Sequence, residues 1–176
     1  MKRYLQLLFV ILFPYLNITL TLLLFMKTAW VTTVLGHPIW LSVILLAAFL
    51  IALVSSIVVL IVSLVNRWDA LKFARLNMVI KLIHIPAYLI IFLFGVASFI
   101  TIFTFAFSAV FVVLDCLTIC LTGIIGLASV IRSVAEKKLS ITAGVVHGIL
   151  QFIFCADVVS AVILYITVNK SKSLQV

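Results

Sequence analysis

The sequence predicts an all-α polytopic membrane bundle of five spans, and three observations carry that reading. Hydrophobic residues make up 67% of the 176 positions and charged ones only 9%, whereas a soluble domain is nearer half apolar and a quarter charged. Apolar runs of about 20 residues or more, enough to cross a hydrocarbon core, recur along the chain. The runs are continuous and show no period-2 alternation, which excludes a membrane β-barrel. Only helices and closed barrels satisfy every backbone polar group in lipid, so the runs read as helices. The mean hydropathy of +1.50 agrees. One membrane domain, 1–176, uses nearly all of the chain and leaves little for a water-soluble domain.

The first span, 4–26, is free of charge, with Pro14 and Asn17 near its middle. It follows Met1-Lys2-Arg3 like a signal peptide, but it is too long for an h-region and no A-x-A pattern follows, so a retained helix is expected. The connector 27–38 carries Trp30, His37 and Pro38, residues that suit a membrane interface. The second span, 39–65, would reach roughly 40 Å at 1.5 Å per residue, so it should tilt or protrude.

Residues 66–81 read as the longest polar connector, with Arg67, Asp69, Lys72, Arg75 and Lys81. A helical wheel does not separate these charges from Trp68, Leu71, Phe73 and Leu76, which gives little support to an amphipathic surface helix. The stretch 82–131 holds a single charged residue, Asp115. As one straight helix it would be roughly 75 Å long, so it must fold back. The polar residues Thr104 to Ser108 mark the turn, giving a third span at 82–103 and a fourth at 107–131. A short charged loop at 132–138 leads to the fifth span, 141–168.

Counting Lys and Arg orients the bundle. With the N-terminus cytoplasmic, Lys2, Arg3, Arg67, Lys72, Arg75, Lys81, Arg132, Lys137 and Lys138 lie inside, against Lys27, Lys170 and Lys172 outside. The expected topology is N-in and C-out, with Arg67, Lys72, Arg75, Lys81, Arg132, Lys137 and Lys138 as a cytoplasmic basic face. The +8 net charge is thereby assigned to orientation and anionic-lipid contact and not to nucleic acid.

Asp115 and Asp157 fall inside the fourth and fifth spans, where a carboxylate costs roughly 2.5–3.5 kcal/mol by insertion scales and tends to mark a site. Position within each span puts both in one layer outside the midplane, with Asn17 nearby. Every Lys and Arg reads as sitting near a span end, so each aspartate needs a proton, neutral donors, a bound cation or a partner's basic residue. Gly144, His147 and Gln151 share one helical stripe, and His147 and Gln151 are candidates for a polar relay with the aspartates. Gly144 and Gly148 form a G-x-x-x-G that permits close helix approach, with Gly123 and Gly126 as its plausible internal counterpart. Cys116, Cys120 and Cys155 lack metal-ligand spacing, so no metal is expected. No G-x-S-x-G, H-E-x-x-H or P-loop is present, and neither enzyme activity nor a cofactor is expected.

The stretch Leu76-Asn77-Met78-Val79-Ile80-Lys81-Leu82-Ile83-His84-Ile85-Pro86-Ala87-Tyr88, with Gly148-Ile149-Leu150-Gln151-Phe152-Ile153-Phe154-Cys155-Ala156-Asp157, resembles small uncharacterised multi-helix membrane proteins of Gram-positive bacteria. The resemblance implies a multi-pass protein of a bacterial cell membrane and no particular activity. The function expected is that of a non-enzymatic integral membrane protein that binds a partner or stabilises an assembly through its polar intramembrane layer. The alternative is a small proton- or cation-coupled transporter using Asp115 and Asp157. Expected partners are the lipid bilayer and another membrane protein or a second copy of the chain.

Overall fold

A computed structural model describes residues 2–26, 37, 39–100 and 104–173, and every regular element among them is an α-helix. In chain order these are α1 (Lys2–Met26), α2 (Ile39–Val65), α3 (Ala70–Ser98), α4 (Phe105–Ala135), α5 (Ile141–Leu150) and α6 (Ala156–Ser173). Three segments, Ile39–Val65, Ala70–Ser98 and Ser108–Ala135, are long and apolar enough to cross a membrane, which marks a membrane protein.

Burial follows the helical period, but the exposed faces are as apolar as the buried ones. On α1, Leu7, Val10, Phe13, Asn17, Ile18 and Thr21 are buried at steps of 3 or 4 residues or their sums, while Leu8, Phe9, Leu12 and Leu16 are exposed. On α2 the inward positions include the small polar Ser55, Ser56 and Ser63, and most of the outward ones are Leu, Ile and Val. Lipid replaces water as the solvent for such faces, so polarity is free to collect inside.

The chain divides into two compact units, Met1–Ser55 with Pro86–Thr118, and Ser56–Ile85 with Ile119–Val176. In the first unit, Ile18 of α1, Ala87 and Ile91 of α3, and Phe111 and Leu114 of α4 form a core. The Phe94 and Phe111 rings stack with centroids 5.9 Å apart. In the second, Ala70 and Ala74 of α3, Val130 of α4, Leu139, and Leu164 and Val168 of α6 pack together.

The apolar runs 4–26 and 39–65 are helical, within α1 and α2, but three expectations change. Residues 66–81 are not a long connector, because α3 already begins at Ala70. Asp69 caps it by accepting from Lys72 N at 2.9 Å, and Glu136 Oε1 accepts from Ala70 N at 3.0 Å. These two carboxylates satisfy backbone donors that a helix start leaves unpaired. The turn after α3 comes earlier than Thr104–Ser108, since α3 ends at Ser98 and α4 starts at Phe105. Thr104 and Ser108 instead donate their hydroxyls back to the carbonyls of Ser98 (2.9 Å) and Gly95 (3.1 Å). Finally, the fifth span is not one helix: Gln151 to Cys155 interrupt it between α5 and α6. Of the first connector, Trp30 and Pro38 lie outside the described residues, and His37 Nδ1 accepts from Ile39 N at 3.2 Å where α2 begins.

Replacing Asp69 by Ala should lower stability by about 1 kcal/mol, the usual loss for an N-cap carboxylate. Thermal unfolding in detergent micelles checks this, with Asp69→Asn, which still accepts a hydrogen bond, expected to stay near wild type.

Candidate functional site

The second unit contains a buried polar network, built first on α3. Its buried residues Ala70, Phe73, Ala74, Asn77, Ile80, Lys81 and His84 repeat at helical spacing and form one stripe. Three of these, Asn77, Lys81 and His84, are polar, and each has a relative exposure of 0%. Lys81 is therefore a core residue and not part of a cytoplasmic basic face, because the helix carrying it starts twelve positions earlier than the apolar run from 82 suggests.

The Lys81 ammonium meets acceptors from three places in the chain. Nζ lies 2.6 Å from Asp157 Oδ2 on α6, 2.8 Å from Thr122 Oγ1 on α4, and 3.4 Å from the Gln151 carbonyl oxygen at the helix interruption. An ammonium has three hydrogens, so three acceptors can use them all. Both charged side chains are wholly buried. A charge taken out of water is tolerable only with a close counter-charge and satisfied hydrogen bonds, and this pair has both. The expectation that no basic residue shares the depth of Asp157 is thus overturned.

The interruption itself follows from these contacts. Ser140 caps α5, its Oγ accepting from Ala143 N at 3.2 Å. After Leu150 the regular ladder gives way to tighter bonds, from Phe152 N to Ile149 O and from Ile153 N to Leu150 O. The Gln151 carbonyl, which a continuing helix would direct at residue 155, turns to Lys81 instead. Cys155 adopts a left-handed φ of 62°, a conformation that non-glycine residues avoid at a cost on the order of 1–3 kcal/mol. Helix α6 then restarts with Asp157 in its first turn, where Oδ1 accepts from Val158 N at 2.8 Å and the helix dipole favours a negative charge.

Gln151 links the ion pair to a second set of groups. Its side chain accepts from Asn77 Nδ2 at 3.5 Å and donates to Ser160 Oγ at 3.1 Å. Ser160 Oγ lies 2.8 Å from His147 Nδ1. Two glycines of α4 make room for the interruption. A Cβ on Gly123 would lie 3.0 Å from the Gln151 carbonyl oxygen and 2.7 Å from the Phe152 ring, and one on Gly126 would overlap the Gln151 side chain. Gly144 and Gly148 face α4 elsewhere: a Cβ on Gly144 would meet Val134 Cγ2 at 2.5 Å, and one on Gly148 would meet Leu127 at 3.5 Å. The two glycine pairs therefore serve separate contacts and do not face each other.

Comparison with protein-family models, curated proteins and solved structures returns no match. The site must be read from its own chemistry.

Of the expected polar residues, Asp157, Gln151 and His147 come together in this network. Asn17 and Asp115 belong to the first unit. There Asn17 is buried with its Oδ1 3.5 Å from Thr21 Oγ1, and Asp115 is half-buried at a cleft of about 150 Å³ with Phe92, Gly95 and Phe111. Among the described residues, no three His, Cys, Asp or Glu side chains gather as a metal site would require. Sequence reasoning missed Asn77, Lys81, Thr122 and Ser160. The 4- and 3-residue steps from Asn77 to Lys81 to His84 were the available signal, together with Asp69 as an N-cap.

Arg132 also leaves the expected basic face. It is buried, with Nε donating to the Trp68 carbonyl at 2.7 Å and its guanidinium 2.5 Å from Glu136, which also pairs with Lys138 at 2.7 Å. Arg67, Lys72, Arg75 and Lys137 are exposed.

Asp157→Asn or Lys81→Met should each destabilise by about 3–5 kcal/mol, because each strands a buried partner. Gly126→Ala should cost about 1–3 kcal/mol through overpacking against Gln151, whereas Gly148→Ala, with ordinary contact distance, should be neutral or mildly stabilising. Melting temperatures of the four variants in one detergent provide the check.

Proposed function

We propose that this chain is a non-enzymatic, multi-pass protein of a bacterial cell membrane that binds a membrane-embedded partner, with the Lys81–Asp157 pair as the clamp that holds its binding surface in shape. In this reading α1 to α4 span the bilayer, and α5 and α6 form a discontinuous fifth span. The N-terminus and the loop holding Lys137 and Lys138 are cytoplasmic, as the distribution of Lys and Arg favours. The observation that carries the reading is the saturated coordination of Lys81. Its three acceptors come from α4, the interruption and α6, so one residue of α3 ties three other segments together. A group so fully used internally acts as a fixed fastening.

Proton or cation coupling is a second reading, favoured by one specific observation. A titratable pair sits where a membrane helix is broken, with a carboxylate at the start of one half-helix and a carbonyl at the end of the other. Transporters place ion sites at such discontinuities.

The double variant Lys81→Met with Asp157→Leu separates the two. A clamp needs only a well-packed junction, so the double variant should recover most of the stability lost by either single change. Reconstituted liposomes carrying an internal pH dye should show no flux above empty vesicles for wild type, Asp157→Asn or Asp115→Asn. Wild-type flux that disappears in Asp157→Asn, with the fold intact, would replace the clamp by a coupling site.

A further inference from the structure

A groove of about 610 Å³ runs between α4 and α5 in the second unit, lined among others by Val130, Val134, Gly144, Val145 and Ile149. It runs from Ala135 and Ile141, which flank the loop joining the two helices, to Leu127 and Phe152. Gly144 and Gly148 are part of its wall, where α5 approaches Val134 and Leu127 of α4 closely. Phe152, at the far end, belongs to the helix interruption and lies against Gly123. The groove therefore inherits its shape from the clamped segment.

From Ile141 to Phe152 the groove is roughly 16 Å long at the helical rise, close to one leaflet of a hydrocarbon core about 30 Å thick, which matches the reach of an acyl chain lying along it.

Charge selects the class of lipid. The loop beside Ala135 and Ile141 carries Arg132, Lys137 and Lys138 against the single acid Glu136. Glu136 is held by Arg132 and Lys138, while Lys137 is exposed at a left-handed φ of 56°. The loop next to one end of the apolar groove thus bears an excess of positive charge, with Lys137 exposed.

We infer that the groove between α4 and α5 holds an acyl chain of one anionic phospholipid, with its phosphate against Lys137. This deepens the partner-binding reading above and rests on it, since it names what the clamped surface binds.

Native mass spectrometry of the full chain in detergent, with added phosphatidylglycerol or phosphatidylcholine of identical acyl chains, tests the inference. One phosphatidylglycerol should survive collisional activation that strips phosphatidylcholine. Lys137→Gln should weaken its retention about fivefold, the effect of one basic residue near a phosphate. Val145→Trp, which fills the groove from an exposed position, should abolish retention while keeping the wild-type melting temperature. Ile149→Trp on the same wall replaces it if the first variant melts lower. Equal retention of the two lipids, or retention that survives the tryptophan, would overturn the inference. So would a dimer that forms in place of the lipid complex and is lost with Val145→Trp, since a second copy would then be the occupant. The clamp reading fails separately, if Asp157→Asn melts like wild type.

Discussion

A single ammonium group in an apolar environment constrains the second unit. Lys81 has no access to solvent, so its charge has to be met by atoms of the chain, and α4, α6 and the segment between α5 and α6 each bring one. Breaking such a pair costs about 3–5 kcal/mol, a large share of the 5–15 kcal/mol that keeps a typical domain folded. The interruption, the left-handed Cys155 and the close approach at Gly123 and Gly126 are all compatible with that requirement and unfavourable or unnecessary without it. Because a well-packed apolar junction is often as stable as a buried ion pair, stability alone does not account for the charges. The contacts they make tie α4, α6 and the segment between α5 and α6 to α3.

The polar residues buried inside contrast with many large apolar side chains exposed outside. Trp40, Leu50, Val54 and Ile61 of α2 are exposed, while Ser56 and Ser63 of the same helix are buried. Hydrocarbon around the molecule removes the usual drive to bury leucine, and what remains is the need to pair every hydrogen-bonding group. Gln151 shows how economically this is done, with its backbone serving Lys81 and its side chain serving Asn77 and Ser160.

Much of the helical plan was legible in the residues. The charge-free runs at 4–26 and 39–65 match α1 and α2 because both ends are set by polar residues that lipid would reject. Where charge itself was buried, the same reasoning misled. The buried Lys81, at the end of a run with the exposed Arg67, Lys72 and Arg75, made 66–81 look like a connector, although Asp69 before Ala70 already signalled a helix start. The break at Gln151–Cys155 has neither Gly nor Pro, so no local rule announces it. Asp157 and Gln151 were recognisable as unusual from composition alone. Their partners Lys81 and Asn77 lie 76 and 74 positions away in sequence, a pairing that spacing within one helix cannot reveal.

The 76-residue separation of Lys81 and Asp157 also orders the making of the protein. At a synthesis rate of roughly 5–20 residues per second, the lysine emerges about 4–15 s before its carboxylate exists. Throughout that interval α3 carries a cation that bilayer hydrocarbon disfavours by roughly 2.5–3.5 kcal/mol at mid-depth. Helix α6 is made after α3, α4 and α5 and is the one that neutralises the charge, so a nascent chain halted before α6 holds a lysine with no counter-ion at position 157.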